Sequence, residues 1–300
     1  MLRHSEFSPY RGRFAPSPTG LMHAGSLMTA VGSFLEAKAH GGQWLVRIED
    51  LDTPRMVPGA ADEILRTLER FGFAWDGPVE YQSRRHALYR EALDGLIRQG
   101  LAYGCRCSRR EIQAEAPRGV DGFVYPGTCR ERGLTGASAL AWRLRVDGAG
   151  EVAFDDRLQG HYAQRLACDI GDFVLLRADG YWAYQLAVVV DDAEQGVTDV
   201  VRGADLLVST PRQIWLQQCL HATTPGYCHL PLLVNAAGEK LSKQTLAPSI
   251  SVGDALDELR LALSRLGHRP PVELHSLSDV WSWAHKHWRL AQVPKGPVLM

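Results

Sequence analysis

Apolar residues recur along this chain at two spacings, and the places where the spacing switches mark its elements. From Gly25 onward, Leu27, Ala30, Val31, Phe34 and Leu35 fall three and four apart, the repeat of one buried helix face. Before them, the run RGRFA at Arg11 to Ala15 is short and extended, and the stretch from Pro16 to Gly20, with two prolines and a glycine, stops any regular element. The pattern predicts strand, rigid turn, helix. A second apolar run, Gln43 to Ile48, ends at Glu49 and Asp50, and amphipathic helical patterns occupy Ala60 to Phe71 and His86 to Arg98. Strands alternating with helices in this order predict a parallel sheet with crossover helices.

From Leu101 to about Gly180 the pattern changes. Glycines, prolines and arginines surround a group of cysteines, and strand-like runs come after them at Trp142 to Val146 and Phe173 to Leu176, so this stretch reads as an insertion. The α/β pattern resumes with Ala183 to Val190, the short run Val200 to Arg202, and a helix opened by Ser209, Thr210 and Pro211, where a Ser or Thr cap precedes proline. Beyond Lys243 the tail reads as two helices, Val252 to Leu266 and Leu277 to Leu290, separated at Arg269 to Pro271. The expected division is therefore 1–100 and 181–245 as two halves of one Rossmann-like unit, 101–180 as the insertion, and 246–300 as a helical stem. No internal repeat is visible.

Composition narrows this picture only a little. A chain of 300 residues suits one large domain with an insertion, and 45% hydrophobic with 22% charged residues is the balance of a packed protein rather than a disordered one. No run of about 18 apolar residues appears, and the N-terminus lacks the apolar segment of a secretory signal, so a cytoplasmic location is expected. The formal charge of -1 leaves nucleic acid undecided, because a basic face can coexist with a neutral total. Six cysteines are too few for a disulfide scaffold, and Cys105, Cys107 and Cys129 cluster, which favours a metal.

The candidate chemistry begins at the first turn. In a parallel sheet, ligands bind beyond the carboxyl ends of the strands, where the next helix offers unpaired N–H groups to phosphates. Arg13 to Ser26 occupies that place: prolines stiffen the turn, His23 sits just before Gly25, and small residues let a nucleotide approach the backbone. Taken alone, His23 would be an ordinary surface histidine. In this setting the stretch RFAPSPTGLMHAGS resembles the class I aminoacyl-tRNA synthetases, whose signature is His-x-Gly-His, and RFAPSPTG is specific to their glutamyl and glutaminyl branch. Ser26 departs from the final histidine, as is normal for the short paralogues of the glutamyl enzymes. Far downstream, Lys240, Leu241, Ser242, Lys243 and Gln244 resemble the Lys-Met-Ser-Lys-Ser loop of the same class, with Leu241 and Gln244 as departures.

This resemblance implies a class I Rossmann-like α/β fold and a reaction that runs on positioning and electrostatics. It implies ATP, accompanied by Mg2+, held at His23, Gly25, Ser26, Lys240, Ser242 and Lys243, with His23 and Lys243 as the catalytic pair. Glutamate carries two carboxylates and an ammonium, so its pocket needs a bidentate arginine and an acid. Arg13, Arg202 and Glu49 lie at strand ends where such groups belong, although each also suits a surface ion pair. By resemblance the glutamate site comprises Arg13, Phe14, Ala15, Pro16, Ser17, Glu49, Tyr184 and Arg202. Glu49 is assigned to the α-ammonium, Arg202 to the side-chain carboxylate, and Arg13 with Ser17 to the α-carboxylate; Tyr184 also suits the core. His161 and His229 receive no role, and Cys168, Cys219 and Cys228 read as packed thiols.

Three thiolates leave a tetrahedral zinc short of one ligand. No histidine lies between Cys107 and Cys129, so Tyr125, Asp121 or water is left for the fourth position. The resembling short paralogues use a tyrosine there, which points to Tyr125 and to one structural Zn2+. The resemblance spans about Arg11 to Asp254, and the tail beyond Asp254 is too short for an anticodon-binding domain. These paralogues activate L-glutamate without tRNA and attach it to queuosine, the modified wobble base of tRNA(Asp). The same activity, in a monomer, is the expectation; a truncated enzyme charging tRNA(Glu) and a non-catalytic RNA-binding paralogue are the rivals.

Overall fold

A computed structural model of the chain describes residues 9–134, 140–235, 237–238, 250 and 253–299. The loop formed by Lys240, Ser242 and Lys243 lies outside the described residues. The first strand, β1 (Arg11–Phe14), leads through the proline turn into α1 (Ala24–Ala39), and β2 (Gln43–Ile48) returns parallel to β1. Helix α2 (Ala60–Arg70) then crosses to the two-residue strand β3 (Glu80–Tyr81), parallel to β2, and α3 (His86–Arg98) comes next. Much later in the chain, α6 (Tyr184–Glu194), β11 (Asp199–Gly203), α7 (Thr210–Cys219) and β12 (Gly226–Leu230) add a second parallel pair. Thr198 joins the two groups: its N–H donates to the Arg11 carbonyl at 3.0 Å and its hydroxyl accepts the Arg11 N–H at 2.8 Å. The spatial order is thus β3, β2, β1, β11, β12, and the order reverses between β1 and β11, where an open α/β sheet binds its ligands.

Between the two groups lies a mixed region. Strand β4 (Ala102–Cys105) pairs antiparallel with β7 (Ala141–Leu144), which pairs antiparallel with β10 (Phe173–Leu176). The short helix α4 (Arg109–Glu115), a small hairpin of β5 (Arg118–Gly119) and β6 (Gly122–Phe123), a longer hairpin of β8 (Glu151–Asp156) and β9 (Gly160–Arg165), and the single turn α5 (Leu166–Asp169) fill it out. Buried Leu144, Val146 and Leu175 of this region share one apolar cluster with Leu93 and Leu96 of α3 and with Leu186 and Val188 of α6. The antiparallel sheet therefore packs onto the parallel unit instead of standing clear of it. A separate cluster places Val31, Phe34 and Leu35 of α1 against Leu259 of α8 (Ala255–Arg265) and Trp281 of α9 (Leu277–His287), which covers the outer face of α1 with the tail. Strand β13 (Leu233–Val234) ends the described part of the second parallel unit, and β14 (Val298–Leu299) pairs with it.

Two local expectations need correction. Ser209 does not cap α7 with its side chain: a 3-10 segment, Ala204–Ser209, runs straight into the helix, and Ser209 has φ -85° and ψ -20° rather than the extended backbone of a cap. Its hydroxyl instead accepts from Arg212 Nη2 at 3.0 Å. Cys168 is exposed on the short turn α5 and is not a packed thiol, whereas Cys219 and Cys228 are buried. Among the described residues, no helix is long and apolar enough to cross a membrane.

Candidate active site and metal centre

The carboxyl ends of the parallel strands gather the charged residues. Arg13 is the last residue but one of β1, Glu49 comes directly after β2, and Arg202 is the last but one of β11, with His229 its register partner on β12. The turn is tied to this edge through its backbone, since the Glu49 N–H donates to the Pro16 carbonyl at 3.0 Å and the Val57 N–H to the Pro18 carbonyl at 3.0 Å. Phe14 is buried, Ala15 and Pro16 are half-buried, and Ser17 is exposed.

Beneath Arg13 and Glu49 lies a buried ionic layer built on α6. Asp192 accepts from Arg13 Nε at 3.1 Å and pairs with Arg47 Nη1 at 2.8 Å. One residue earlier, Asp191 accepts from Arg85 Nε at 2.7 Å and from Gln82 Nε2 at 2.7 Å, and the Tyr89 hydroxyl donates to it at 2.9 Å. Burial alone would push the Asp192 carboxyl up, but Arg13 and Arg47 more than offset this and hold it below the ordinary carboxylate range. Glu49 goes the other way. Among the described residues its carboxylate meets only Arg47 Nη2, at 3.4 Å, and burial raises its pKa despite Arg47 and Arg13. A buried acid left short of positive charge is ready to receive a cation from a ligand.

Arg202 is held more completely. Its Nε donates to His229 Nε2 at 3.0 Å, its Nη2 donates to the Thr210 hydroxyl at 2.8 Å, and its Nη1 lies 3.4 Å from the Tyr184 hydroxyl. His229 in turn meets Asp156 through Nδ1 at 2.6 Å, with both side chains fully buried. Sequence reasoning missed Asp156, Asp191, Asp192 and His229. The only hint was the charged pair ending an otherwise apolar run at Val188 to Asp192.

At the head of α1, His23 caps the helix: the Ser26 N–H donates to Nδ1 at 3.3 Å, and the Ser26 hydroxyl sits 3.1 Å from Nε2. With Nδ1 accepting, the neutral ring carries its proton on Nε2. Gly25 suits this fit, because a Cβ there would come within 3.2 Å of the imidazole and press on it. A cavity of about 770 Å³ runs from Ser17, Glu49 and Tyr184 past Tyr181 and Trp182 to Cys107 and Arg143, a size suited to a small-molecule ligand.

Cys107, which lines its far end, lies with buried Cys105 of β4 and buried Cys129 in a group whose sulfurs are all within 4.8 Å of one another. The Tyr125 hydroxyl is 3.3 Å from the Cys105 sulfur and 3.5 Å from that of Cys107. Metal–sulfur bonds of about 2.3 Å in a tetrahedron require sulfurs about 3.8 Å apart and a phenol oxygen about 3.5 Å from each, so the four residues fit one ion. Three of the four groups share their protons unequally: burial pushes the Cys129 thiol up, but the Arg106 backbone N–H and the neighbouring hydroxyl and thiols bring it down to about 7, whereas burial pushes Cys107 up to about 11 and Tyr125 above the ordinary phenol range. Tyr125 is placed by a bridge to Gly171, where φ is +73° and a Cβ would clash with the Tyr125 backbone at 2.5 Å. Asp121, the other protein candidate for the fourth position, instead accepts from Arg212.

Residues 10–280 match the family model described as tRNA synthetases class I (E and Q), catalytic domain. A Glutamyl-Q tRNA(Asp) synthetase of Chromobacterium violaceum is 68% identical over 96% of this chain and 97% of its own length. Another, of Dechloromonas aromatica, is 61% identical over 98% of each chain. A solved glutamate tRNA ligase of Elizabethkingia meningosepticum, in complex with its amino acid, superposes with a TM-score of 0.80 at 25% identity, over 97% of this chain and 67% of that one. The chain belongs to the class I tRNA synthetases of the E and Q type, an ATP-dependent ligase class, and within it to the Glutamyl-Q tRNA(Asp) synthetase family.

Proposed function

We propose that the protein activates L-glutamate with ATP, without tRNA, and transfers it to the queuosine base at the wobble position of tRNA(Asp). The observation that carries this reading is the meeting of Arg13, Glu49, Tyr184 and Arg202 at the sheet's switch point, in a chain that matches its Glutamyl-Q relatives over nearly their whole length. Glu49 takes the α-ammonium, which supplies the positive charge its buried carboxylate lacks. Arg202 and Tyr184 take the side-chain carboxylate. Arg13, with its Nε and Nη2 already on Asp192, offers Nη1 to the α-carboxylate, together with Ser17.

In the first step a carboxylate oxygen of glutamate attacks the α-phosphorus of ATP. The O–P bond forms as the bond to pyrophosphate breaks, and no proton moves. His23 and Lys243 stabilise the charge on the phosphates, with Gly25, Ser26, Lys240 and Ser242 lining the nucleotide and Mg2+ accompanying it. The acceptor then attacks the mixed anhydride and AMP leaves. Zn2+ on Cys105, Cys107, Cys129 and Tyr125 supplies structure, tying the inserted subdomain of residues 101–180 to its loops. The protein works as a monomer in the cytoplasm.

Glutamate-dependent ATP–pyrophosphate exchange in the absence of tRNA is the expected result. Transfer of labelled glutamate should then require tRNA(Asp) that contains queuosine; equal transfer to tRNA(Asp) lacking it, or transfer to tRNA(Glu) alone, overturns the acceptor assignment.

A further inference from the structure

Arg202 can only donate hydrogen bonds, so the His229 Nε2 that it contacts at 3.0 Å must be an unprotonated acceptor. The ring proton then sits on Nδ1, where Asp156 Oδ2 accepts it at 2.6 Å. The other oxygen of Asp156 is fully used: it accepts from the N–H groups of Leu158 at 3.0 Å, Gln159 at 2.8 Å and His229 at 3.2 Å. Three backbone donors thus orient the carboxylate, the carboxylate selects the tautomer, and the tautomer presents an acceptor to Nε of Arg202. The rest of the guanidinium is constrained as well. Nη2 is bound by Thr210 at 2.8 Å and the Tyr227 ring lies 5.4 Å from the guanidinium carbon. Among the described residues Nη1 has only the Tyr184 hydroxyl, at 3.4 Å, on the residue that lines the cavity.

We infer that Asp156 and His229 are positioning residues for amino-acid recognition: through a neutral, Nδ1-protonated imidazole they set the rotation of the Arg202 guanidinium, so that Nη1 is the donor offered to the side-chain carboxylate of the substrate. The inference rests on the reading of Arg202 as a glutamate-binding residue. A carboxylate needs donors from the arginine, and a guanidinium whose Nε edge is already satisfied cannot turn that edge toward the substrate. Burial keeps the imidazole neutral beside an ionised aspartate, in agreement with this arrangement.

The discriminating variant is Asp156→Asn. Its amide oxygen can still accept the three backbone N–H groups, which leaves the amide NH2 facing Nδ1. Two donors cannot face each other, so the ring takes the other tautomer and turns an N–H against Nε of Arg202. The KM for glutamate in ATP–pyrophosphate exchange should rise about tenfold or more, the loss expected for one misplaced charge-assisted hydrogen bond, while the KM for ATP changes less than about twofold. His229→Phe, which keeps an aromatic ring between Phe154 and Tyr227, should raise the same KM. In the unaltered protein, nitrogen NMR of His229 should report the Nδ1–H tautomer at neutral pH, a measurement that does not depend on any variant folding. An Nε2–H tautomer there, or a glutamate KM unchanged in both variants while Arg202→Gln abolishes glutamate-dependent exchange, overturns the inference and leaves the site reading standing. An Arg202→Gln variant with unchanged glutamate KM removes the site reading itself. Equal losses for glutamate and ATP in Asp156→Asn, with a lowered thermal midpoint, reduce the pair to a structural element and also overturn it.

Discussion

The two ends of the long cavity are organised by different means. Behind the end lined by Ser17, Glu49 and Tyr184, the residues Arg13, Arg47, Asp192, Arg202, His229 and Asp156 sit on adjoining strands and one helix, and the buried polar atoms largely satisfy one another. At the cysteine end, Cys107, Tyr125 and Cys129 are carried by loops, and the apolar cluster around them consists of little beyond Tyr103, Ile112 and Leu134. A network of charges on regular elements is preorganised by the protein alone. Loops with a small core have more to gain from a metal joining the sulfurs, which is how a structural metal contributes folding energy.

This contrast can be broken at either end. The largest expected effect is that of Arg202→Ala on glutamate activation: kcat/KM for glutamate should fall about a thousandfold or more, because the substrate carboxylate is then buried without its charged partner, with chelation sensitivity unchanged. Activity within about threefold of the unaltered protein would show that the organised end is not the amino-acid site. Next in size is Asp191→Ala, which leaves Arg85, Arg47 and Tyr89 without their shared acceptor. The cost should be about 2–4 kcal/mol of stability in urea unfolding, because Gln82 and Tyr89 lose their buried acceptor and each arginine loses one of its carboxylates. A small cost there would mean that the buried layer is less tightly coupled than its distances suggest.

At the cysteine end, Cys129→Ser or treatment with a zinc-selective chelator in the presence of Mg2+ should lower the thermal midpoint by roughly 5–10 °C, while glutamate-dependent exchange, measured below that midpoint, survives. Loss of exchange in step with the metal would join the two ends functionally. A smaller effect is expected of pH. Burial lowers the pKa of His229 and His268 below the usual 6.5, so the unfolded chain binds more protons than the folded one as pH falls below that value. Their contribution is full above about pH 6.5 and is lost on acidification, so the urea midpoint should drop between about pH 7.5 and 5.5, and His268→Phe should flatten that slope. The smallest effect, a change of about 2 °C or less, is expected of Ser108→Ala, which removes the capping box of α4 beside the cysteines.

Much of the scaffold was legible because it is local. The helical repeat of Leu27 to Leu35, the stop at Pro16 to Gly20 and the helix over His86 to Arg98 all depend on neighbours within a few positions. The end of β2 at Ile48 is likewise a local feature, and it delivers Glu49 to the edge of the sheet. The cap at Ser209 failed for a nonlocal reason, since whether a serine caps depends on the backbone entering the helix. The packing of 101–180 onto α3 and α6 is of the same kind, because shared burial of Leu144 with Leu93 leaves no mark in either segment's own periodicity.

For this protein, sequence by itself determined the alternating α/β order, the places of Arg13, Glu49 and Arg202 at strand ends, and the membership of Cys105, Cys107 and Cys129 in one group. Only the tertiary structure decided which groups hold them. Asp192 reaches Arg13 across 179 residues and Asp156 reaches His229 across 73; the first pair becomes adjacent when α6 and β11 settle beside β1, and the second when the β8–β9 hairpin packs against β12. Buried ionisable groups must find partners or lose their charge. That demand is met in three dimensions, so the partners are set by how the helix and the hairpin pack against the sheet and have no fixed spacing along the chain.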